Sequence, residues 1–473
     1  MRTSYSSAFS LLTFGVIFFT GLVALVISQS IGPADWFIVA PFCIGGMIAA
    51  GWYVYATLRR DPYNIIFEPL VCFAIATAVY YSFGPLLYVF GPAEGAEFSR
   101  DWYFITARNG LWLTGLNYIG IGITGIVSST VRFGSVSHMA RGAARRWSNM
   151  NPSTVAIAFI IIGMICKFVF VVPYEFGATK EPPSAVIRAV QNFALVGIFI
   201  SYLSKSRKTS TVARLALGVQ VLTGVLMFNK TEVLLGLLSA GAGMVIAGKS
   251  IRNLVYLSAG ILAFYIFLGP LILFGRNQLG ELGGDGAKVA GLLDRAILVR
   301  EYLDSSSSNF QSDSIPGLWW SRLNYLPPQQ AAVDLNNAGR GSDDFQNVLW
   351  IFVPRTLVPE KPILSQTGAN LTEKVKGFST SSTGIGIFTD GYYNLGWFGV
   401  VIASVTYGLA LSVYRNISRP IVIERAFFLF PLALIGTTVA LRPDGWWLLD
   451  VAGPVVLTLA ALSAARMRMG SRG

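Results

Sequence analysis

The sequence predicts an all-α, polytopic integral membrane protein with about twelve transmembrane helices and one large extracytoplasmic loop. Two observations lead to this prediction. Of the 473 residues, 53% are hydrophobic and only 13% are charged, and the mean hydropathy is +0.57, which is typical of a chain whose main solvent is the bilayer. The apolar residues fall in runs of about 16 to 22 residues, the length a helix needs to cross about 30 Å of hydrocarbon.

Twelve such runs can be counted along the chain. The first is too long and too uninterrupted for a cleaved signal peptide, and we expect a retained helix there. The seventh and eighth are separated only by Asn229, Lys230 and Thr231. The predicted spans are 8–29, 36–57, 70–91, 109–129, 153–173, 186–203, 214–229, 232–248, 254–275, 394–414, 425–441 and 446–465.

The short connections between the spans predict the orientation, because cytoplasmic loops retain Lys and Arg. Alternate connections and the two termini carry nineteen basic residues against Asp61 and Glu424. Both termini are therefore predicted to be cytoplasmic. The basic residues are Arg2, Arg59, Arg60, Arg132, Arg141, Arg145, Arg146, Lys205, Arg207, Lys208, Arg214, Lys249, Arg252, Arg415, Arg419, Arg425, Arg466, Arg468 and Arg472.

This orientation divides the chain into three parts. Residues 1–275 hold the first nine spans, 276–393 form the extracytoplasmic loop, and 394–473 hold the last three spans and a cytoplasmic tail. From 276 to 394 there are ten Lys/Arg and twelve Asp/Glu, so acids and bases are mixed as they are in a binding or catalytic site. Helical spacing over 287–303, 317–332 and 343–350 predicts short helices within the loop.

Several other classes of protein are disfavoured. The net charge is +12, but the basic residues lie in short loops rather than beside aromatic residues on one surface, so no nucleic-acid partner is predicted. One GxxxxGK[ST] match, from Gly243 to Ser250, ends an apolar run instead of following a strand and opening a helix, so it does not indicate a phosphate-binding loop, and no credible GxGxxG follows a strand. Cys43, Cys72 and Cys166 lie inside apolar runs without metal-ligand spacing. We therefore expect packing cysteines, no metal and no cofactor.

Four arginines stand out in the predicted loop. Arg276 directly follows the ninth span and either snorkels to the interface or binds an anion. Arg340 lies in a Gly-flanked turn, where we expect it to be solvated. Arg322 in WWSRLNYLP and Arg355 in FVPRTLVPEKP have aromatic and apolar neighbours, among which a buried guanidinium needs an anionic partner.

Two stretches resemble a known family. The run VPRTLVPEKP, a small-residue stretch and then FTDGYYNLGWFGV resemble the Wzy-type oligosaccharide repeat-unit polymerases, over about 55 residues. In that family a proline-arginine element ends in Lys-Pro, and a later acidic-x-Tyr-x-Asn-x-Gly element leads into the next span. The acidic residue is often Glu in the family and is Asp here. The matching positions are Pro354, Arg355, Lys361, Pro362, Asp390, Tyr392, Asn394 and Gly396, with Tyr393 as a further tyrosine between Tyr392 and Asn394.

The resemblance implies a GT-C-like glycosyltransferase of the bacterial inner membrane, which polymerises O-antigen, capsule or exopolysaccharide units. A glycan on a polyprenyl pyrophosphate would be the donor and a lipid-linked repeat unit the acceptor. Membrane lipids, a chain-length regulator and a flippase would be its other partners. Positioned cations stabilise the charge that develops on a leaving phosphate. The predicted pyrophosphate clamp is Arg276, Arg322, Arg355 and Lys361.

Asp390 is the predicted general base for the acceptor hydroxyl, with Glu360 and Asp344 as alternatives. Each of these carboxylates could instead cap a helix or form a salt bridge. Trp319, Trp320 and Trp397 could stack on sugars or anchor the chain at the membrane interface. The residues predicted to contact the sugars are Tyr392, Tyr393 and Asn394.

Two further functions fit the same plan. An O-antigen ligase works with an external histidine, but the only histidine, His138, lies in a predicted cytoplasmic loop, where we expect it to be solvated. A transporter or flippase of lipid-linked oligosaccharides would mark its path with ionisable residues inside spans, and Lys167 and Arg188 are the candidates. A loop of more than one hundred residues has no obvious use in a flippase and favours the polymerase. A structural scaffold is the least favoured.

Overall fold

The structure is a computed structural model, and it describes most of the chain in segments. Much of the predicted loop and of the C-terminal tail lies outside the described residues. The described residues are 2–32, 35–60, 68–179, 183, 185–204, 206–248, 251–281, 291–305, 318–343, 345–353, 358, 367–377, 384–447, 451, 453–455, 458–460 and 463.

The described part of the chain is all-helical. Within it, seven helices are long and apolar enough to cross a membrane. The chain is therefore a helical membrane protein, as its composition predicts. The seven helices are Ala8–Ser30, Trp36–Arg60, Pro69–Phe90, Ala107–Thr130, Pro152–Glu175, Arg207–Leu226 and Ile387–Ile423.

These helices correspond to seven of the twelve predicted spans. Three other predicted spans contain shorter apolar helices, Phe193–Leu203, Glu232–Gly248 and Phe427–Ala440. The ninth predicted span lies within the helix Ile251–Glu281, which contains Pro270. The twelfth, 446–465, falls largely outside the described residues. The count of twelve spans stays a prediction.

The chain divides into two compact units. Unit 1 consists of Met1–Arg145, Ile315–Glu424 and Leu432–Gly473, and unit 2 of Arg146–Ser314 and Arg425–Pro431. Short helical turns extend the helix Pro69–Ala78 to Phe90 and the helix Pro152–Cys166 to Glu175. The α-helices are α1 (Arg2–Ser30), α2 (Ala40–Arg60), α3 (Pro69–Ala78), α4 (Ala93–Trp102), α5 (Ala107–Thr130), α6 (Gly134–Trp147), α7 (Pro152–Cys166), α8 (Ala185–Gln191), α9 (Phe193–Leu203), α10 (Arg207–Leu226), α11 (Lys230–Gly248), α12 (Ile251–Glu281), α13 (Leu292–Ser305), α14 (Leu318–Ser321), α15 (Leu326–Asn337), α16 (Thr367–Lys376), α17 (Ile387–Ile423) and α18 (Phe430–Ala440).

Helix α5 forms the centre of unit 1, with α1 and α17 packed against it. Small residues allow the close approach to α1, because a Cβ added at Gly21 would lie 2.9 Å from the carbonyl oxygen of Gly115. On the other side, a Cβ at Gly408 of α17 would lie 2.7 Å from the carbonyl oxygen of Thr124. Helices inside a bilayer gain stability mainly from such close packing, since lipid tails are as apolar as the side chains.

Helix α5 and the later part of α17 run in the same direction. Thr124 Oγ1 donates a hydrogen bond to the carbonyl of Ser404 (3.0 Å). Further along both helices, Ser412 Oγ donates to the carbonyl of Val131 (2.7 Å). The two helices therefore begin at one end of unit 1 and finish at the other, and the two ends carry different polar groups.

Unit 2 is built on α7, α9, α10, α11 and α12. A Cβ at Gly163 would lie 2.2 Å from the backbone nitrogen of Ala194, so α7 and α9 also meet through a small residue. Helices α10 and α11 are joined by a tight turn in which buried Phe228 has φ +49. The break predicted between the seventh and eighth apolar runs is therefore confirmed.

The short helices predicted in the loop differ in extent from the observed ones. The predicted helix over 317–332 is interrupted, because α14 ends at Ser321 and α15 begins at Leu326. Helix α13 lies where the spacing over 287–303 predicts one. Near 343–350 the chain forms a 3-10 helix, Gln346–Phe352. The three cysteines are free, and Cys43 and Cys72 are buried.

Candidate functional site

Polar side chains gather at the end of unit 1 where α5 begins. Tyr103, just before α5, donates from its hydroxyl to Asp334 Oδ2 of α15 (2.9 Å). Lys376 of α16 donates to the carbonyl of Asp101 (2.7 Å), and Asn324 Nδ2 donates to Ser99 Oγ (3.0 Å). Residues on α15, on α16 and just before α15 thus contact the connection between α3 and α5. This is the end that the charge bias predicts to be extracytoplasmic.

Asp390 lies inside this polar end and is only 2% exposed. Its Oδ1 accepts a hydrogen bond from Asn394 Nδ2 (3.0 Å), and its Oδ2 accepts from the backbone N–H of Trp447 (2.8 Å). The amide oxygen of Asn394 in turn accepts from the backbone N–H of Phe345 (3.2 Å). Asp390 therefore links the start of α17 to two other segments, and both of its oxygens serve as acceptors.

Helix α17 breaks just after Asn394. Leu395 (φ −139, ψ 21) and Gly396 (φ 59, ψ −145) have non-helical backbone angles. A short first part, 387–394, is thereby separated from the later part, 397–423. Gly391 and Gly399 bring the two parts together, because a Cβ at Gly391 would lie 2.4 Å from the carbonyl oxygen of Gly399. The predicted span beginning at 394 thus corresponds to the part after the break.

Gly396→Ala is expected to destabilise the protein by about 1–3 kcal/mol, because its backbone angles lie close to a region adopted essentially by glycine alone. An added Cβ would meet only Asn336 Nδ2, at 3.9 Å, so the cost is conformational rather than steric. The matched control is Gly45→Ala in α2, where a Cβ meets nothing within 4 Å. Thermal unfolding in detergent compares the two, and equal melting temperatures would contradict the expectation.

The two predicted sugar-binding tyrosines are packed inside the protein. Tyr392 donates from its hydroxyl to Asn337 Oδ1 (3.1 Å), and its ring meets Trp112 and Trp397 edge to face. Tyr393 is 2% exposed, and its hydroxyl accepts a hydrogen bond from Lys374 Nζ (3.2 Å). Neither ring presents an open face for stacking on a sugar in this conformation. Trp397 is 40% exposed, and its ring meets Trp112 and Tyr392 edge to face.

Arg322 lies in the turn between α14 and α15, and its side chain is exposed. The turn itself is held firmly, because Trp320 stacks on Phe83 with ring centroids 4.6 Å apart and donates to the carbonyl of Phe83 (2.9 Å). A Cβ at Gly84 would lie 2.1 Å from the carbonyl oxygen of Leu323. Instead of being buried against a partner, this guanidinium is presented to the surroundings on a fixed turn.

The structure describes the other predicted site residues to different extents. Arg355, Lys361, Glu360 and Asp344 lie outside the described residues. For Arg276 the structure gives only the backbone, near the end of α12. The backbone of Trp319 is part of α14. The predicted pyrophosphate clamp is therefore described at Arg322 alone.

Two buried amides tie the polar end together, and the sequence did not single them out. Asn117 of α5 donates to Gln329 Oε1 (2.9 Å), and Gln329 donates to the carbonyl of Ile385 (3.0 Å). Asp444 Oδ2 accepts from the Tyr325 hydroxyl (2.9 Å), while its backbone carbonyl accepts from the N–H of Gly386 (3.1 Å). The sequence contains signals for these amides. Asn117 is an amide inside an apolar run, and Gln329 is one of two adjacent glutamines that follow two prolines.

Asp334 is a second acid at the polar end whose two carboxylate oxygens both accept hydrogen bonds. Its Oδ1 accepts from Gln330 Nε2 (2.7 Å) and its Oδ2 from the Tyr103 hydroxyl. Burial, together with the hydrogen bond to this carboxylate, raises the pKa of Tyr103 to about 12. Tyr103 therefore stays protonated and donates at neutral pH. Among the described residues, no group of three or more His, Cys, Asp or Glu converges that could hold a metal ion.

Comparison with known proteins does not assign a family. A scan against protein-family models finds no match. Searches of curated proteins and of solved structures also find no match. The indications of function therefore lie in the chain's own residues and in how the fold brings them together.

Proposed function

We propose that this protein is a glycosyltransferase that polymerises lipid-linked oligosaccharide repeat units for a surface polysaccharide. In this proposal it spans a bacterial inner membrane with about twelve helices in a GT-C-like arrangement. Both termini are cytoplasmic, and the polar end around Asp390 is extracytoplasmic. A flippase supplies the lipid-linked units, and a chain-length regulator acts with the polymerase.

The geometry of the acidic-x-Tyr-x-Asn-x-Gly element carries this proposal. Asp390 and Asn394 are hydrogen-bonded to each other directly before Gly396, where the backbone breaks ahead of a membrane-spanning segment. The element lies among polar groups at the end of the unit and contacts several distant parts of the chain, among them Trp447, Phe345 and Asn337. A motif that fixes a break and a carboxylate at a membrane surface suits a substrate that has a lipid tail and a polar head.

The reaction transfers a sugar from a pyrophosphate to a hydroxyl. The acceptor oxygen attacks the anomeric carbon of the donor's reducing-end sugar, and the bond from that carbon to the pyrophosphate oxygen breaks. The bonding electron pair leaves with the lipid pyrophosphate, and the acceptor proton goes to a base. Arg322, with Arg276, Arg355 and Lys361, stabilises the charge on the leaving group.

The base in this proposal is a carboxylate at the polar end. Each oxygen of Asp390 accepts one hydrogen bond, from Asn394 or from the N–H of Trp447, and keeps a second lone pair that can take a proton. Because Asp390 is only 2% exposed, the acceptor hydroxyl reaches it only after a local opening. Asp334 and Asp444 are less buried and are the described alternatives, in addition to Glu360 and Asp344. Asp390 is therefore assigned two roles in this proposal: it positions the start of α17, and it accepts the proton. Variants at position 390 have to distinguish between them.

Deletion of the gene in its host tests the proposal. If the protein is the polymerase, gel analysis of the surface glycan is expected to show single repeat units in place of a ladder. Complementation with the intact gene is expected to restore the ladder. An unchanged ladder would refute the proposal, and a complete loss of external repeat units would indicate a flippase.

The proposed orientation predicts that tags at residue 135 and at the C terminus are cytoplasmic, because the Lys/Arg bias sets the topology. A cysteine introduced at Ser307 is expected to react with a membrane-impermeant thiol reagent in intact spheroplasts. A variant with the cysteine at Ser135 is the matched control and is expected to stay unlabelled. Labelling at Ser135 together with protection at Ser307 would reverse the orientation.

A flippase is the second candidate function, and one observation in unit 2 favours it. Lys167 is 2% exposed inside the span Pro152–Glu175, where a π-helical turn begins. Its Nζ donates to Gln220 Oε1 (2.7 Å) and to Glu232 Oε2 (3.0 Å). Ionisable residues inside spans often mark transport paths, and π-turns are frequent at functional sites. Arg188, the other candidate, lies near Glu175, with 3.7 Å between Nη2 and Oε1.

The same network also has a structural explanation. Gln220 Nε2 donates to Glu232 Oε2 (2.6 Å), so the lysine, the amide and the carboxylate satisfy one another. A buried ion pair with a bridging amide can hold α7, α10 and α11 together without any transport. This local pairing keeps the flippase second to the polymerase.

A further inference from the structure

The end of unit 1 opposite Asp390 contains a cavity of about 430 Å³. It lies where α5 and α17 finish and α6 begins, and this volume falls within the range of about 300–1,000 Å³ typical of ligand pockets. Its lining includes one carboxylate and four arginines. These residues are Glu424, Arg132, Arg141, Arg415 and Arg419.

The fold, rather than local sequence, brings these arginines together. Arg415 and Arg419 are four residues apart and so share one face of α17. Arg132 follows the end of α5, which the hydrogen bond from Ser412 to the Val131 carbonyl ties to α17. Arg141 is contributed by α6. A topology signal requires only positive charge on this side of the membrane, and it does not require four guanidinium groups to converge on one cavity.

Among the described residues, the acids in ion pairs at this cavity are fewer than its arginines. Glu424 Oε1 lies 3.3 Å from Nε of Arg145, an arginine that does not line the cavity. Glu68 Oε1 lies 3.3 Å from Nε of Arg415. In the described part of the chain, five arginines thus lie in and beside the cavity, and these ion pairs bring two carboxylates to them. Guanidinium groups held close together repel one another, and an anion between them would relieve that repulsion.

We infer that this cavity binds a phosphate-bearing anion. The planar guanidinium offers paired N–H donors that match phosphate oxygens, and several arginines around one cavity suit more than one phosphate oxygen at once. Basic pockets between membrane helices on the cytoplasmic side bind phosphorylated lipid head groups. The anion is therefore either the head group of an anionic lipid or a soluble phosphate compound. This inference does not depend on glycosyl transfer at the other end of unit 1.

Inorganic pyrophosphate is the probe for a soluble ligand. Binding to the purified full-length protein in detergent is measured by calorimetry for the wild type, for Arg141→Gln/Arg419→Gln and for Arg59→Gln. Arg59 is an exposed arginine at the end of α2 that does not line the cavity, so it is the matched control. The double variant is expected to lose at least about tenfold in affinity for each arginine removed, because a hydrogen bond to a charged group is worth about 1.5–3 kcal/mol.

Retained lipid is the second readout. The same three proteins are extracted from nanodiscs of phosphatidylcholine with and without phosphatidylglycerol, and bound lipid is counted by native mass spectrometry. Fewer phosphatidylglycerol adducts in the double variant alone would support the inference with a lipid as the ligand. Weaker pyrophosphate binding in that variant alone would support it with a soluble phosphate.

The inference is overturned if the double variant matches Arg59→Gln in both measurements. Arg141 and Arg419 are exposed, so their replacement is expected to leave the melting temperature unchanged. If the double variant does not yield folded protein, the single variants Arg141→Gln and Arg419→Gln carry the same expectation, each with about a tenfold loss. Equal binding by both single variants and by the control would also overturn it.

Discussion

Arg322→Ala is expected to abolish polymerisation while the amount of protein in the membrane stays unchanged. The side chain is exposed, so its removal leaves no cavity. The turn that carries it is fixed against the α3 span, where Trp320 contacts Phe83 and the backbone of Leu323 lies against Gly84. If Arg322 stabilises the leaving pyrophosphate, its loss is expected to lower the rate by about 10²–10³-fold. Gel analysis of the surface glycan measures the change, and immunoblotting of membranes gives the protein level.

Arg322→Lys separates charge from geometry at the same position. A lysine keeps the positive charge but lacks the two-pronged donor arrangement that phosphate recognition uses, so partial activity is expected. Arg300→Ala is the matched control, because Arg300 is an exposed arginine of α13 that pairs only with nearby Asp304 among the described residues. Wild-type ladders from Arg322→Ala would remove Arg322 from the clamp. The same expectation applies to Arg355→Ala, whose position lies outside the described residues.

Spans were predictable because their signal is local. An apolar run of about twenty residues reveals a membrane helix without knowledge of its neighbours, and seven of the twelve predicted runs coincide with long apolar helices. The break in α17 was nearly predictable too, since the predicted entry at Asn394 is two residues from Gly396. The shape of the loop followed less closely from its apolar spacing, because spacing alone ignores Pro327 and Pro328. Prolines favour the first turn of a helix over its interior, and both stand in the first turn of α15. The turn before α15 docks on Phe83 and Gly84.

The partners of individual side chains were not predictable, because they come from distant parts of the chain. Asn117 and Gln329 are 212 residues apart, and Asp390 and Trp447 are 57 apart. The sequence pattern of aromatic residues beside a candidate site is the same whether they pack inside the protein or stack on sugars. In the structure, Tyr392 and Tyr393 are packed inside. The arginines of the cavity illustrate the same limit, since positive charge in a loop predicts its side of the membrane but not its convergence with other loops.

Asp390→Asn is expected to lose most activity and also to destabilise the protein by about 1–3 kcal/mol. An ionised carboxylate only accepts hydrogen bonds, whereas an asparagine amide offers one accepting oxygen and one donating nitrogen. At position 390 one oxygen can still accept from Trp447, but the new NH2 group would face the Nδ2 donor of Asn394. That amide cannot turn over, because its oxygen accepts from the N–H of Phe345. Loss of activity in this single variant therefore does not by itself show a catalytic base.

The exchange Asp390→Asn/Asn394→Asp separates the two roles. The amide at 390 can then accept from Trp447 and donate to the carboxylate at 394, which still accepts from Phe345. The bond to the backbone carbonyl of residue 390 is lost, and a carboxylate oxygen then faces that carbonyl. We expect the exchange to recover part of the stability that Asp390→Asn loses, as measured by thermal unfolding in detergent. If Asp390 is the base, turnover of purified protein with lipid-linked repeat units stays low in the exchanged variant. Recovery of turnover together with stability would show that Asp390 positions the break in α17 and would transfer the base role to another carboxylate, with Asp334, Asp444, Glu360 and Asp344 as the candidates.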